Sequence, residues 1–311
     1  MTTGLDRSVL VFDIGGSHIS AAICHGGDYR LGSVISASHA SVETADAFVD
    51  LLHTLGVKVG AVSEDASGAG LAIPGPFDYA TGISHMKHKL PYLFGVNVHE
   101  ALAARFGWEP SDVCSLNDAD AFLLGEIGAG AVRGVARVVG LTLGTGIGSA
   151  FAVDGHVITS GPGIPPDGEI WNVSYLGGIV EDFVSTRAIQ GAYQQRTGTL
   201  REVAEIAKDA ERDSASAEAF NEFGRNLGQA IRTVLYPFAP HVIVLGGGIS
   251  QSSPLFLSAT LAELQGLDVE LRISELREHA ALVGAGVRWL ETHNGCELAP
   301  SAEDQLQADP V

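Results

Sequence analysis

Three breaks in apolar runs carry the first chemical signal of the chain: Gly15-Gly16, Gly144-Thr145-Gly146 and Gly246-Gly247-Gly248. Glycine leaves room for oxygens to approach the backbone, and successive N–H groups form a concavity that holds anions. Any one break would serve as an ordinary turn; three, each behind an apolar run, point to phosphate. Asp118 is the candidate catalytic carboxylate, because it ends a strand-like run and opens the helix-like DADAFLLGE, where a strand end meets a crevice. Capping that helix is its plainer use. Asn117 beside it, with Glu169 and Glu181 further on, makes a polar set suited to sugar hydroxyls. A carboxylate can accept from two neighbouring hydroxyls at once. His18, directly after the first turn, stands where it can touch a phosphate or point to solvent.

The elements around these residues follow from periodicity. VLVF (9–12) breaks at Asp13-Ile14-Gly15-Gly16 and resumes as HISAAIC (18–24), which reads as strand, turn, strand with glycine free to take positive φ in the bend. A helical period covers 41–55, and GAGLAIPG (68–75) is a short strand stopped at Pro74-Gly75-Pro76. Residues 98–107 read as a helix and 111–118 as a strand running into Asn117-Asp118. VARVVGLTLGTGIGSAFAVDG (135–155) then repeats the first design. Setting Gly15 against Gly144 places Asp13 opposite Thr142, so a repeated structural unit is expected. Phe220, Phe223, Leu227, Ile231 and Leu235 mark one buried helix face within 217–235. HVIVLGGGIS (241–250) is a buried strand, and 281–293 is the last helix. Alternating strands and helices mean an α/β protein.

Composition narrows the partners. Lys and Arg number 18 against 37 Asp and Glu, a net charge of −19, with hydrophobic residues at 46% of 311. So acidic a chain is a poor match for nucleic acid or an anionic membrane surface, both of which select Lys and Arg. The apolar share is enough for sizeable cores and excludes wholesale disorder. No apolar run is long enough to span a bilayer, and no signal-peptide pattern opens the chain. Cys24, Cys114 and Cys296 are few and far apart, which fits neither a disulfide framework nor a zinc pattern and suits a reducing cytoplasm.

Two nucleotide-binding alternatives fail on context. A dinucleotide fingerprint needs a helix after its glycines. Here SAFAVDG alternates and reaches Asp154-Gly155, as a hairpin does. The chain also lacks a GxxxxGK[ST] string. Read together, VLVFDIGGSHISAAI, GLAIPGPFD, LNDADAFLLGE, GLTLGTGIGSAFAVDG, GEIWNVSYLGGIVEDFVS and PHVIVLGGGIS resemble the repressor, open reading frame and kinase (ROK) family over roughly residues 9–290. The resemblance implies a two-domain actin-like ATPase (ribonuclease H-like) fold with a central cleft, and phosphoryl transfer from ATP with Mg2+ to a hexose hydroxyl. It implies that Asp13, Gly15, Gly16, Ser17 and His18 and then Thr142, Gly144, Thr145 and Gly146 form two phosphate hairpins. By the same resemblance Gly246, Gly247 and Gly248 lie at the adenosine side, and Asp13 positions magnesium through water. Asp118 is then the base, while Gly75, Asn117, Glu169, Asn172 and Glu181 belong to the sugar side.

Two departures from the family pattern stand out. GEIWNVSYLGGIVE has no cysteine where zinc-containing members carry them, so no structural zinc is expected, as in the zinc-less polyphosphate/ATP glucokinase branch. The usual sugar-binding histidine is Asn172, preceded by Trp171 where glycine is usual. Both changes leave the sugar open, and a catalytically altered sugar- or nucleotide-binding protein is the alternative they raise. A polyphosphate donor would want a basic track, for which Arg133, Arg137 and Arg187 are the candidates; the acidic average favours ATP. The family also includes sugar-responsive repressors, but the first hairpin begins at residue 9 and the charge is −19, which favours the kinase. The expected organisation is an N-terminal domain over 1–117, a C-terminal domain over 118–281, a terminal helix over 282–293 packing back on the first domain, and a disordered tail over 294–311. Dimerisation is an expectation from the resemblance.

Overall fold

The computed structural model describes residues 7–293, so the tail expected at 294–311 lies outside the described residues. By internal contacts the chain forms two compact units, one built from 7–118 and 282–293 and the other from Ala119–Ala281.

In the first unit, β1 (Ser8–Ile14) and β2 (His18–His25) make an antiparallel hairpin whose last pair is Ile14 with Ile19. The chain continues through β3 (Arg30–Leu31), β4 (Ile35–Ser38), α1 (Ala45–Lys58), β5 (Ala69–Ala72), the small hairpin β6 (Phe77–Asp78) and β7 (Ile83–Ser84), α2 (Val98–Phe106) and β8 (Val113–Leu116). The sheet runs β3-β2-β1-β5-β8, with β4 also pairing β2. β1, β5 and β8 are parallel, and their register aligns Asp13 with Ala72 and Ala72 with Leu116. Asp13, the loop after β5 and Asn117-Asp118 therefore leave the sheet at one edge. The helices start where side chains can cap them: Thr44 Oγ1 accepts from Ala47 N, and Asn97 Oδ1 accepts from Glu100 N.

In the second unit, α3 (Asp118–Gly128) opens on the last residue of the first and leads to β9 (Arg137–Leu143), β10 (Ile147–Val153) and β11 (His156–Ile158). A loop and the hairpin β12 (Ser174–Tyr175) and β13 (Gly178–Ile179) follow. Next come α4 (Val180–Phe183), α5 (Thr186–Thr197), α6 (Val203–Asp209), α7 (Ser214–Ala230), β14 (Val242–Gly246), α8 (Ser253–Glu263) and β15 (Glu270–Ile273). The sheet order is β11-β10-β9-β14-β15. It repeats the first design: a hairpin followed by a parallel strand on its inner side. The hairpin's last pair is Leu143 with Ile147, so Thr142, like Asp13, stands one residue before the turn's closing pair. Asp154 (φ 48°) and Gly155 (φ 88°) make the tight turn read from the sequence.

α9 (Ala280–His293) returns to the first unit and lies against its sheet. A Cβ on Gly70 would meet the Ala285 carbonyl oxygen at 2.3 Å, and one on Gly286 would meet Cys24 Sγ at 2.5 Å. The near-continuous apolar run of β1 is explained by burial on both faces. Leu10, Phe12 and Ile14 join the core containing Phe48 and Leu52 of α1, while Val11 comes close to α9 at Gly286.

The structure departs from these expectations at two points. Gly15 and Gly16 do not use the positive φ open to glycine, because a four-residue turn closed by Gly15 N–H donating to His18 O (2.9 Å) reverses the chain without it. The helix expected over 217–235 ends as an α-helix at Ala230 and continues as a π turn, Ile231–Leu235, which keeps Ile231 and Leu235 buried. α8 and β15 were not read from the sequence at all. Among the described residues no helix is long and apolar enough to cross a membrane.

The second unit carries one fully buried carboxyl, Glu126 on α3. It accepts from Ser274 Oγ (2.5 Å), Ala131 N (2.7 Å), Leu276 N (3.0 Å) and Glu275 N (3.3 Å). Glu126→Ala would leave four donors without their acceptor, at roughly 1–3 kcal/mol for each that stays buried. We therefore expect a loss of at least about 3 kcal/mol, read as a lower denaturant midpoint. A midpoint unchanged from wild type would show that water replaces the carboxyl at no cost.

Candidate active site

The first turn is built so that its donors face outward. The carbonyl of His18 accepts from Gly15 N, that of Gly15 meets the ring of His39, and that of Ser17 accepts from His39 N (3.1 Å). Among the described residues no acceptor meets the N–H of Gly16 or Ser17. A Cβ on Gly16 would touch nothing within 4 Å. Glycine here is required neither by φ nor by the protein's own packing, which leaves room for an incoming group as its physical use. His18 is exposed, and its Nδ1 lies 2.9 Å from Ser17 Oγ.

The second turn has the same polarity. Gly144 N–H donates to Gly146 O (3.0 Å), and Gly144 O accepts from both Thr186 N (2.8 Å) and Thr186 Oγ1 (2.9 Å). The N–H groups of Thr145 and Gly146 meet no acceptor among the described residues. Gly144 has open space at its Cβ position, as does Gly248 after β14. Gly146 and Gly246 differ: a Cβ would strike Glu181 Oε2 in the first case and the Phe122 ring in the second, both at 2.2 Å. Gly247 (φ 79°) is in the left-handed region. Within these glycine runs only Gly16, Gly144 and Gly248 present fully open faces.

Asp13 and Asp118 form the electrostatic focus of the first unit. Burial, and then the nearby Asp118 charge, raise the Asp13 carboxyl to about 6. Two carboxylates at one sheet edge, one of them desolvated, call for a compensating cation. No cluster of three or more His, Cys, Asp or Glu side chains able to hold a metal occurs among the described residues. Asp13 and Asp118 are the carboxylates at this edge that a cation could meet. Asn117 is half-buried and donates from Nδ2 to Tyr79 Oη (3.2 Å), which itself donates to Ile73 O (3.1 Å). Tyr79, which sequence reasoning missed, thus fixes which end of the Asn117 amide faces away. Gly75 sits above the same tyrosine, its Cβ position 3.5 Å from Tyr79 Oη.

Glu169, Asn172 and Glu181 lie on one loop-and-hairpin segment of the second unit, linked through Trp171. The β12–β13 hairpin returns the chain so that Glu181 N donates to Trp171 O (3.1 Å) and Val180 N to Val173 O (3.0 Å). Its turn residues, Leu176 and Gly177, both have positive φ. Glu181 Oε1 pairs with Arg187 at 3.0 Å while the carboxylate lies over Gly146, joining this loop to the second turn. Trp171 Nε1 donates to Glu169 Oε2 at 2.6 Å, a contact two residues apart that no spacing rule announces. Asn172 is exposed.

The chain belongs to the ROK family. That family's model matches residues 9–291. Over 218 residues the chain is 30% identical to the glucokinase of Thermotoga maritima, covering 62% of this chain and 67% of the relative. Over 206 residues it is 28% identical to the N-acetyl-D-glucosamine kinase of Photobacterium profundum, covering 60% of this chain and 67% of the relative. Its fold matches the ROK family glucokinase of Streptomyces griseus, solved in complex with glucose and AMPPNP, with a TM-score of 0.73. That match covers 89% of this chain and 97% of the other at 22% identity. The α/β architecture is therefore the actin-like ATPase fold of the ROK kinases, and the relatives named are phosphotransferases with an alcohol acceptor.

Proposed function

We propose that the chain is an ATP-dependent sugar kinase that transfers the γ-phosphoryl group to a hexose hydroxyl, glucose-like and at the 6-position, with Asp118 as general base. The observation that carries the reading is the Asp13–Asp118 pair at the same sheet edge as a glycine turn with outward N–H donors. The Streptomyces griseus structure holds glucose and AMPPNP, and the curated relatives act on glucose or N-acetyl-D-glucosamine, which supports a sugar acceptor and ATP as donor.

On this reading the two turns hold phosphate oxygens through backbone N–H groups, so catalysis rests on positioning and charge neutralisation. Asp118 accepts the hydroxyl proton as the sugar oxygen bonds to the γ-phosphorus, and the bond from that phosphorus to the β–γ bridging oxygen breaks, releasing ADP. A magnesium ion, when bound, supplies positive charge to the phosphate oxygens, and Asp13 is the residue that would hold it through water. Asn117, Glu169, Asn172 and Glu181 bind and orient the sugar.

ATP is favoured over polyphosphate because the chain is acidic on average and the candidate arginines are held by local partners. Arg187 pairs with Glu181, Arg133 bonds Ala129 O, and Arg137 bonds Phe238 O and Ala239 O while stacking on the Phe238 ring. Three widely spaced cysteines and an acidic charge suit a cytoplasmic enzyme.

One contact supports a sugar other than glucose. The Trp171 indole engages one oxygen of Glu169, while the position of the usual histidine is Asn172, which cannot carry charge. Asn172→His is expected to change the order of preference among hexoses and leave KM for ATP within about twofold, since a factor of two is under half a kcal/mol. Steady-state kinetics on glucose, mannose and N-acetylglucosamine test it. An unchanged order with a raised KM for ATP would remove Asn172 from the sugar side.

A further inference from the structure

Each glycine turn has a carbonyl that, left loose, would turn its negative end toward an anion. In both turns a remote side chain takes that carbonyl up. In the first unit His39, 4% exposed, brings Nε2 to 2.9 Å from Gly15 O. A carbonyl oxygen only accepts, so Nε2 carries a proton, and in the neutral ring Nδ1 is then the acceptor. Tyr92 Oη, 3.3 Å from Nδ1, supplies the matching hydrogen and fixes that tautomer. Phe48 closes over the imidazole edge-on, with ring centroids 6.1 Å apart. The backbone of His39 and the hydroxyl of Ser38 (3.3 Å) also bind Ser17 O. In the second unit, Thr186 at the start of α5 holds Gly144 O twice, through its N–H and its hydroxyl.

We propose that His39, oriented by Tyr92, and Thr186 are positioning residues, which hold the turn carbonyls inward so that the N–H groups of Gly16-Ser17 and Thr145-Gly146 face the nucleotide phosphates. The proposal rests on the kinase reading above. It assigns no contact with substrate to either side chain; both act through the backbone of the turn. Neither has a role in sugar binding, so the defect on removing them falls on the nucleotide.

The test compares His39→Phe, His39→Gln, Tyr92→Phe, Thr186→Val and Thr186→Ser with wild type. AMPPNP affinity is measured by calorimetry with Mg2+, and KM is measured for ATP and for the sugar. A net hydrogen bond is worth up to about 1.5 kcal/mol, so His39→Phe and Thr186→Val should weaken nucleotide affinity up to about tenfold. KM for the sugar should hold within about twofold. His39→Gln and Thr186→Ser keep a donor and should restore most of the affinity, and Tyr92→Phe should fall between. If His39→Phe is too unstable to purify, Tyr92→Phe and the Thr186 pair carry the test. Unchanged nucleotide affinity in His39→Phe and Thr186→Val would overturn the proposal. So would equal losses for sugar and nucleotide that the conservative variants do not rescue. A wild type that binds no nucleotide would instead bring down the kinase reading beneath it.

Discussion

Replacing Asp118 with asparagine is expected to lower turnover about a hundred- to ten-thousand-fold while sugar and nucleotide still bind. The amide keeps the size and much of the hydrogen bonding of the carboxylate but cannot take a proton. Asp118 opens α3 at the edge where β1, β5 and β8 end, and its charge reaches Asp13. An asparagine there should thus also relax the Asp13 carboxyl toward its ordinary range, because one of the two causes holding it up disappears. Rapid-quench assays, with AMPPNP and sugar titrations beside them, separate chemistry from binding. Undiminished turnover would remove the base. Turnover and binding lost together would make Asp118 a folding or substrate-holding residue instead.

Asp13→Asn should make the protein more stable at pH 8 while impairing the reaction. The Asp13 carboxyl lies at about 6 in the folded chain against 3.8 for an ordinary aspartate, with burial as the larger cause and Asp118 as the second. Between those values the folded state binds more protons than the unfolded one, so stability falls as pH rises from about 4 to 6 and stays at the lower level above. A shift of this size corresponds to roughly 2–3 kcal/mol. Asparagine carries no charge to desolvate, so the gain appears at pH 8 and vanishes near pH 4. Denaturant unfolding without Mg2+ or nucleotide is the measurement. A variant no more stable than wild type at pH 8 would mean that Asp13 ionises without penalty. On the proposed reading, in which Asp13 would help to hold a cation, the same change should weaken the Mg2+ dependence of turnover.

The sheets and their turns were legible because they rest on local signals. An apolar run such as VLVF suits a strand buried on both faces, and the glycines behind it, followed by a second apolar run, mark the turn of a hairpin. The 129-residue offset placing Asp13 opposite Thr142 survives in three dimensions, since both precede the closing pair of a hairpin. α8 and β15 were not legible: SPLFLSATLAE shows no one-sided apolar face, and ELRI is a half-exposed edge strand. Sequence also cannot separate a glycine kept open for a ligand from one kept small for packing. Gly16 and Gly144 face open space, whereas Gly146 and Gly246 make way for Glu181 and Phe122. The residues that orient the turns were hidden for a third reason. His39 lies 24 residues from Gly15 and Thr186 lies 42 from Gly144, and each acts on a carbonyl, which every residue has.

The most direct test of the kinase reading is product formation by the wild-type chain from a panel of aldoses, ketoses and amino sugars with Mg-ATP, with short polyphosphate as a second donor. The account predicts one preferred hexose phosphorylated from ATP and little or no product from polyphosphate. Clear binding of sugar and nucleotide with no phosphorylated product from any sugar would contradict it, and would leave the site as one that holds both ligands without joining them.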